Sequence, residues 1–124
     1  MISAMAHALE GRCVLIVEDQ YLVADEMRRM ITGMGADVLG PVARSGAALE
    51  LLNETAVDFA LLDINLGDQD AYPVAAELLR RKVPFLFATG CEPWVIPEAF
   101  QAVPRLDKPL TPRTLADAVQ RLGL

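Results

Sequence analysis

An α/β fold, an open parallel sheet covered by helices on both faces, is predicted by three observations on this sequence. Five short apolar segments recur, stretches with helical apolar spacing separate them, and the first, third and fourth segments are nearly continuous in Val, Ile, Leu, Phe and Ala. Strands buried on both faces read as such runs, because neither side of the sheet meets water. The 124 residues, 53% of them apolar, suit one ordinary globular domain that needs no disulfide or structural zinc.

The strand segments are expected at Cys13 to Val17, Ala36 to Leu39, Val57 to Leu62, Pro84 to Ala88 and, more weakly, Val103 to Leu106. Val23, Met27, Met30, Ile31 and Met34 recur at helical spacing after the first, and Gly33 and Gly35 punctuate the end of that helix. Further stripes run through Ala48, Leu51 and Leu52, then Val74, Ala75, Leu78 and Leu79, then Leu115, Ala118, Val119 and Leu122. Thr111-Pro112 opens the last helix with an N-cap residue and a proline at the first helical position. Pro93 and Pro97 interrupt the connection between the fourth and fifth strands, which is expected to be short, irregular or mobile.

A net charge of −6, with 11 basic residues scattered along the chain, argues against nucleic acid as a partner. Cys13 and Cys91 have no metal-ligand spacing, and the single histidine, His7, is read as a surface residue. Cys13 is read as core, whereas Cys91 either borders the site or is a plain loop residue. The chain lacks a signal peptide and any apolar run long enough for a membrane helix, so a cytoplasmic protein is expected. Met5 is a possible alternative start.

Open parallel sheets bind ligands outside the carboxyl ends of their strands. Glu18 and Asp19 follow the first strand, Asp63 the third, Thr89 the fourth and Lys108 the fifth. Converging carboxylates repel, and a hard divalent cation such as Mg²⁺ with oxygen ligands is the usual remedy. A carboxylate nucleophile, a cation, a hydroxyl and an ammonium are the inventory needed to receive a phosphoryl group.

The stretches Val14-Leu-Ile-Val-Glu-Asp19, Leu61-Leu-Asp-Ile-Asn-Leu66, Phe87-Ala-Thr-Gly90 and Asp107-Lys-Pro109, in that order, resemble a response-regulator receiver domain of two-component signalling over nearly the whole chain. The resemblance implies a flavodoxin-like (βα)5 fold with strand order 2-1-3-4-5, residues 1–10 forming an N-terminal extension and 11–124 the receiver domain. It implies Asp63 as phosphoacceptor, Asp19 as a Mg²⁺ ligand, Glu18 as a ligand reached mainly through water, and the Asn65 backbone carbonyl as a further ligand. Thr89 and Lys108 would contact phosphoryl oxygens, and the Lys108-Pro109 peptide would be cis. The donor would be a histidine kinase or phosphotransfer protein, and the signal would leave through a downstream protein partner or onward transfer, or the chain would serve as a phosphate sink.

Phe85-Leu-Phe-Ala-Thr-Gly90, with the prolines after it, resembles a divergent subgroup of mostly stand-alone receivers that pair with HWE-type histidine kinases and whose fourth helix is short or disordered. Two positions depart from the family pattern. Gly67 stands where proline is common, which predicts a more flexible loop, and Arg105 stands where an aromatic switch residue is usual.

Alternatives stay open at single residues. Asp63 could cap a helix, Glu18-Asp19 could be a solvated loop, and Thr89 a turn residue. Asp68, Asp70 and Lys82 read as solvated, Tyr21 as shaping kinase docking or, the preferred reading, as packing on the first helix, and Trp94 either as a partner anchor or as a cover for the core. Rival functions are a Mg²⁺-dependent aspartyl phosphatase of the haloacid dehalogenase type, and a receiver-like interaction module that is never phosphorylated. The first would want Asp-x-Asp where this chain has Asp63-Ile-Asn65.

Overall fold

The computed structural model describes residues 7–67, 69–90 and 96–124. The expectations for Met5, Asp68, Cys91, Pro93 and Trp94 fall outside them. Five parallel strands, β1 (Cys13–Val17), β2 (Asp37–Val42), β3 (Phe59–Asp63), β4 (Phe85–Thr89) and β5 (Arg105–Asp107), form one sheet in the order β2-β1-β3-β4-β5. The helices are α1 (Tyr21–Gly33), α2 (Ser45–Glu54), α3 (Tyr72–Arg80) and α4 (Pro112–Arg121). This is the flavodoxin-like arrangement, with its strand order, that the motifs implied.

Alternation along each strand divides the core into two layers. Leu15, Val17, Ala60, Leu62, Phe85 and Phe87 face α2 and α3, where Leu52, Val74 and Leu78 cover them. Val14, Ile16, Phe59, Leu61, Leu86 and Ala88 face α1 and α4, against Met27, Ile31, Leu115 and Val119. β1, β3 and β4 are the interior strands with almost no exposure, which explains their nearly unbroken apolar sequences.

Several local expectations need correction. β2 begins at Asp37 and runs past the expected end at Leu39 to Val42, with Gly40-Pro41 inside this half-buried edge strand. β5 is short and made of Arg105, Leu106 and Asp107, as an edge strand with two exposed side chains can be. Cys13 is half-buried at the start of β1, where its backbone N–H donates to Asp58 Oδ2 at 2.8 Å. Leu79 is 44% exposed, because α3 buries only Val74, Ala75 and Leu78. Tyr21 is 81% exposed and packs on nothing in the core. Leu9, in the stretch read as an extension, is fully buried in the α1/α4 layer and donates its N–H to Met34 O at 3.0 Å.

Among the described residues, the β4–β5 connection holds a single 3-10 turn, Glu98–Phe100, and no α-helix. Phe100 anchors it: its ring stacks on Tyr72 with centroids 5.3 Å apart and meets Phe87 edge-on at 6.2 Å. The last helix opens as its sequence indicated, with Thr111 accepting the Thr114 N–H and Pro112 in its first turn.

Candidate functional site

The strands carry their polar residues to the carboxyl edge. Glu18 directly follows β1, and its N–H donates to Val42 O at 2.9 Å, so the ladder with β2 fixes its backbone. Asp63 is the last residue of β3, paired with Ala88 of β4. Lys108 follows β5, held by its N–H to Thr89 O at 2.8 Å, before the cis Lys108-Pro109 peptide.

Glu18, Asp19 and Asp63 each offer an oxygen within 4.8 Å of the others. Glu18 and Asp63 are buried, at 2% and 6% exposure, and Asp19 is open to solvent. The Lys108 ammonium lies 2.6 Å from Glu18 Oε1 and 3.2 Å from Asp63 Oδ2. One cation therefore serves two buried carboxylates, and the remaining negative charge is uncompensated within the cluster.

Glu18 Oε1 is in charge contact with Lys108 yet meets no well-aligned hydrogen-bond donor. An oxygen left so, beside two further carboxylates, fits a hard divalent cation reached directly or through water. The chemistry of the donor set, oxygen only, fits Mg²⁺.

Burial pushes Glu18 up to about 7, with the Asp63 charge adding to the rise and Lys108 opposing it. Burial also raises Asp63, again against the pull of the Lys108 charge. Burial alone would lower Lys108, but its contact with Glu18 and the charge of Asp63 outweigh that and hold it raised and protonated.

The loop after Asp63 is pinned at several points. Asn65 N–H donates to Asp63 Oδ1 at 3.3 Å, and Asn65 bridges Asp70. Gly67, at φ +83°, gives its N–H to Asn65 Oδ1 at 3.0 Å, and a Cβ there would lie 3.6 Å from Asp19 Oδ2. The buried Ser45 at the start of α2 grips the same loop, its hydroxyl donating to Asp70 O and its N–H to Gln69 Oε1, both at 2.7 Å. Sequence reasoning missed Ser45 and Gln69, and it had no local signal for them, since the partners lie 24 and 25 residues apart. Asp70 is exposed as expected, and its carboxylate accepts the Tyr72 N–H at 3.0 Å.

Thr89 stands at the end of β4, but its hydroxyl donates to Asp107 Oδ1 at 3.3 Å and not to the carboxylate cluster. Asp107 was not among the expected site residues. His7 and Lys82 are exposed, His7 pairing with Glu10 at 2.8 Å.

Two clefts flank the start of α1. One of about 330 Å³ lies between Glu18, Asp19, Tyr21, Arg28 and Pro41. The other, about 250 Å³, lies between Met27, Met30, Gly90 and Lys108. Among the described residues, no helix is long and apolar enough to cross a membrane.

The profile of the "Response regulator receiver domain" family matches residues 14–120. Among solved structures, the chain is 33% identical to SdrG from Sphingomonas melonis Fr1, with a TM-score of 0.82 over 94% of this chain and 98% of that one. It is 32% identical to the BeF3-activated conformation of SdrG from Pseudomonas melonis Fr1, with a TM-score of 0.76 over 99% of this chain and all of the other (100%). It is also 31% identical over 112 residues to the sensory transduction protein LytT of Bacillus cereus, covering 88% of this chain and 45% of that protein. The chain thus spans about half the length of the curated relatives it matches.

Proposed function

The chain belongs to the response regulator receiver domain family, and on that premise we propose that Asp63 accepts a phosphoryl group from a histidine kinase or phosphotransfer protein in a Mg²⁺-dependent reaction. The observation that carries this reading is the buried Asp63 carboxylate at a strand end, 3.2 Å from Lys108 Nζ and grouped with Glu18 and Asp19.

The chemistry follows from the groups present. An Asp63 oxygen bonds to phosphorus as the P–N bond of a phosphohistidine breaks; the imidazole nitrogen keeps the electron pair and takes up a proton. The product is an acyl phosphate on Asp63. Its loss is the attack of a water oxygen on phosphorus, which returns the carboxylate and releases inorganic phosphate. Lys108 neutralises charge that develops on the phosphoryl oxygens, and Asn65 N–H orients the acceptor carboxylate. Asp19, Glu18, Asp63 and the Asn65 carbonyl are the groups that would hold Mg²⁺, which would supply charge neutralisation for the transfer. Thr89 is assigned to a phosphoryl oxygen, as the motif implies.

Receiver domains interact with histidine kinases or phosphotransfer proteins. Exposed Tyr21 and Leu22, beside two clefts that open towards Glu18 and Lys108, suit such a donor at the start of α1. The finer assignment to HWE-type kinases rests on Phe85-Leu-Phe-Ala-Thr-Gly90 and on the 3-10 turn in the β4–β5 connection. A cytoplasmic setting goes with this reading. The signal leaves by contact with a downstream protein, or the chain drains phosphate from a shared kinase.

Incubation with phosphoramidate tests the proposal. One phosphoryl mass should add in Mg²⁺ and none after chelation, and Asp63→Asn should stay unmodified; an adduct formed equally without Mg²⁺ would refute it.

A further inference from the structure

We propose that Asp107 is a positioning residue that holds the Thr89 hydroxyl away from the phosphoacceptor until a phosphoryl group competes for it. The proposal deepens the reading of Asp63 as acceptor and rests on it.

Thr89 and Asp107 are register partners on neighbouring parallel strands, so their side chains leave the sheet on the same side. The hydroxyl donates to Asp107 Oδ1 at 3.3 Å, and the backbone between them is locked by Lys108 N–H to Thr89 O at 2.8 Å. Thr89 follows the pleat of Phe85 and Phe87, which face α2 and α3; Asp63 follows that of Phe59 and Leu61, which face α1 and α4. The pleat thus sets the Thr89 and Asp63 side chains on opposite faces of the sheet, and the bond to Asp107 holds the hydroxyl on its own side.

A threonine χ1 has few staggered wells, so the hydroxyl leaves Asp107 by rotation about one bond. Both acceptors are anionic, and a hydroxyl bonds each by a charge-assisted contact. The exchange is consequently close to balance, and Asp107 biases it towards the unphosphorylated arrangement. When Thr89 turns, Asp107 loses its donor at the exposed end of β5, two residues beyond Arg105. A surface change at β5 then needs no aromatic side chain at position 105.

Beryllofluoride with Mg²⁺, a phosphoryl mimic, tests this on the full chain. Asp107→Ala should bind it roughly three- to tenfold more tightly, the range of one net hydrogen bond, and Asp107→Asn, which keeps an acceptor, should gain less. In a Thr89→Val background, Asp107→Ala should gain nothing. Equal affinity of the native chain and Asp107→Ala overturns the proposal, and so does the same gain with Val at 89, which plain charge repulsion would give. Three-bond couplings of Thr89 in the mimic-free protein should change in Asp107→Ala; unchanged couplings overturn the latch whatever the fate of Asp63. If no variant binds the mimic and phosphoramidate leaves Asp63 unmodified, the phosphotransfer reading falls and takes this proposal with it.

Discussion

The Lys108 ammonium sits 2.6 Å from Glu18 Oε1, and it is the cation that makes burial of the Glu18 carboxylate tolerable. Removing it leaves Glu18 and Asp63 facing each other with no positive partner. Lys108→Met should therefore cost about 3–5 kcal/mol in chelator, the usual penalty of breaking a buried pair. Added Mg²⁺ should recover part of that loss, because a ligand bound only by the folded chain stabilises it. Urea denaturation with and without Mg²⁺ measures both.

Without a divalent cation, stability should fall as pH rises from about 4.5 to about 7. An unfolded glutamate loses its proton near 4.5, whereas folded Glu18 keeps it up to about 7, so the folded chain binds more protons between those values. Asp63, also raised by burial, contributes with the same sign. Glu18→Gln should flatten the slope, and saturating Mg²⁺, which favours the charged carboxylates, should oppose it. Thermal melts across this range in chelator and in Mg²⁺ check the sign.

Gly40 is the glycine in β2 whose replacement the structure resists most directly. It lies at φ +94°, and a Cβ would fall 2.8 Å from Val42 N and 3.0 Å from Ile16 O. Gly40→Ala should lower stability by about 1–3 kcal/mol or more. It should also weaken Mg²⁺ binding, because Val42 O holds the Glu18 backbone. A urea midpoint and a Mg²⁺ titration read the two effects.

Arg81 ties α3 to the end of α2. Its guanidinium donates to Glu77 Oε1 at 2.9 Å, to Asn53 Oδ1 at 2.8 Å and to Leu52 O. Arg81→Ala should cost about 1–2 kcal/mol, and Arg81→Lys should not restore it, because one ammonium cannot span the fork. Both variants should take up phosphoryl groups from phosphoramidate to the same extent as the unsubstituted chain.

Phe100 fastens the β4–β5 connection through Tyr72 and Phe87. Phe100→Ala should cost about 3–5 kcal/mol and speed amide exchange over residues 96–103 well before β1 and β3 are affected. Hydrogen exchange by mass spectrometry resolves the two regions.

The legible parts of this chain are those where burial dictates composition. β1 runs from Cys13 to Val17 as its apolar run indicates, and the Met27, Ile31, Leu115 and Val119 stripes pack as their spacing requires. Asp63, Asp19, Glu18 and Lys108 could be placed together because each follows a strand, and parallel strands end at one edge. The edge strands were less legible: Gly40-Pro41 lies within β2, and β5 exposes Arg105 and Asp107, so their apolar segments marked the strands but not where they begin and end. Tyr21 misled because an aromatic beside a helix start suggests packing, whereas the helix turns it to solvent. Ser45 with Gln69, and Thr89 with Asp107, depend on tertiary register, which no local pattern encodes.

The most direct test of the central claim is to locate the phosphoryl group. After reaction with phosphoramidate and Mg²⁺, borohydride reduces an acyl phosphate to an alcohol, and peptide mass mapping finds the altered side chain. The account predicts that Asp63 alone is reduced, and only in the sample that received Mg²⁺ and phosphodonor. Reduction at Asp19 or another carboxylate, or an adduct that resists reduction because it sits on a hydroxyl or histidine, would contradict it.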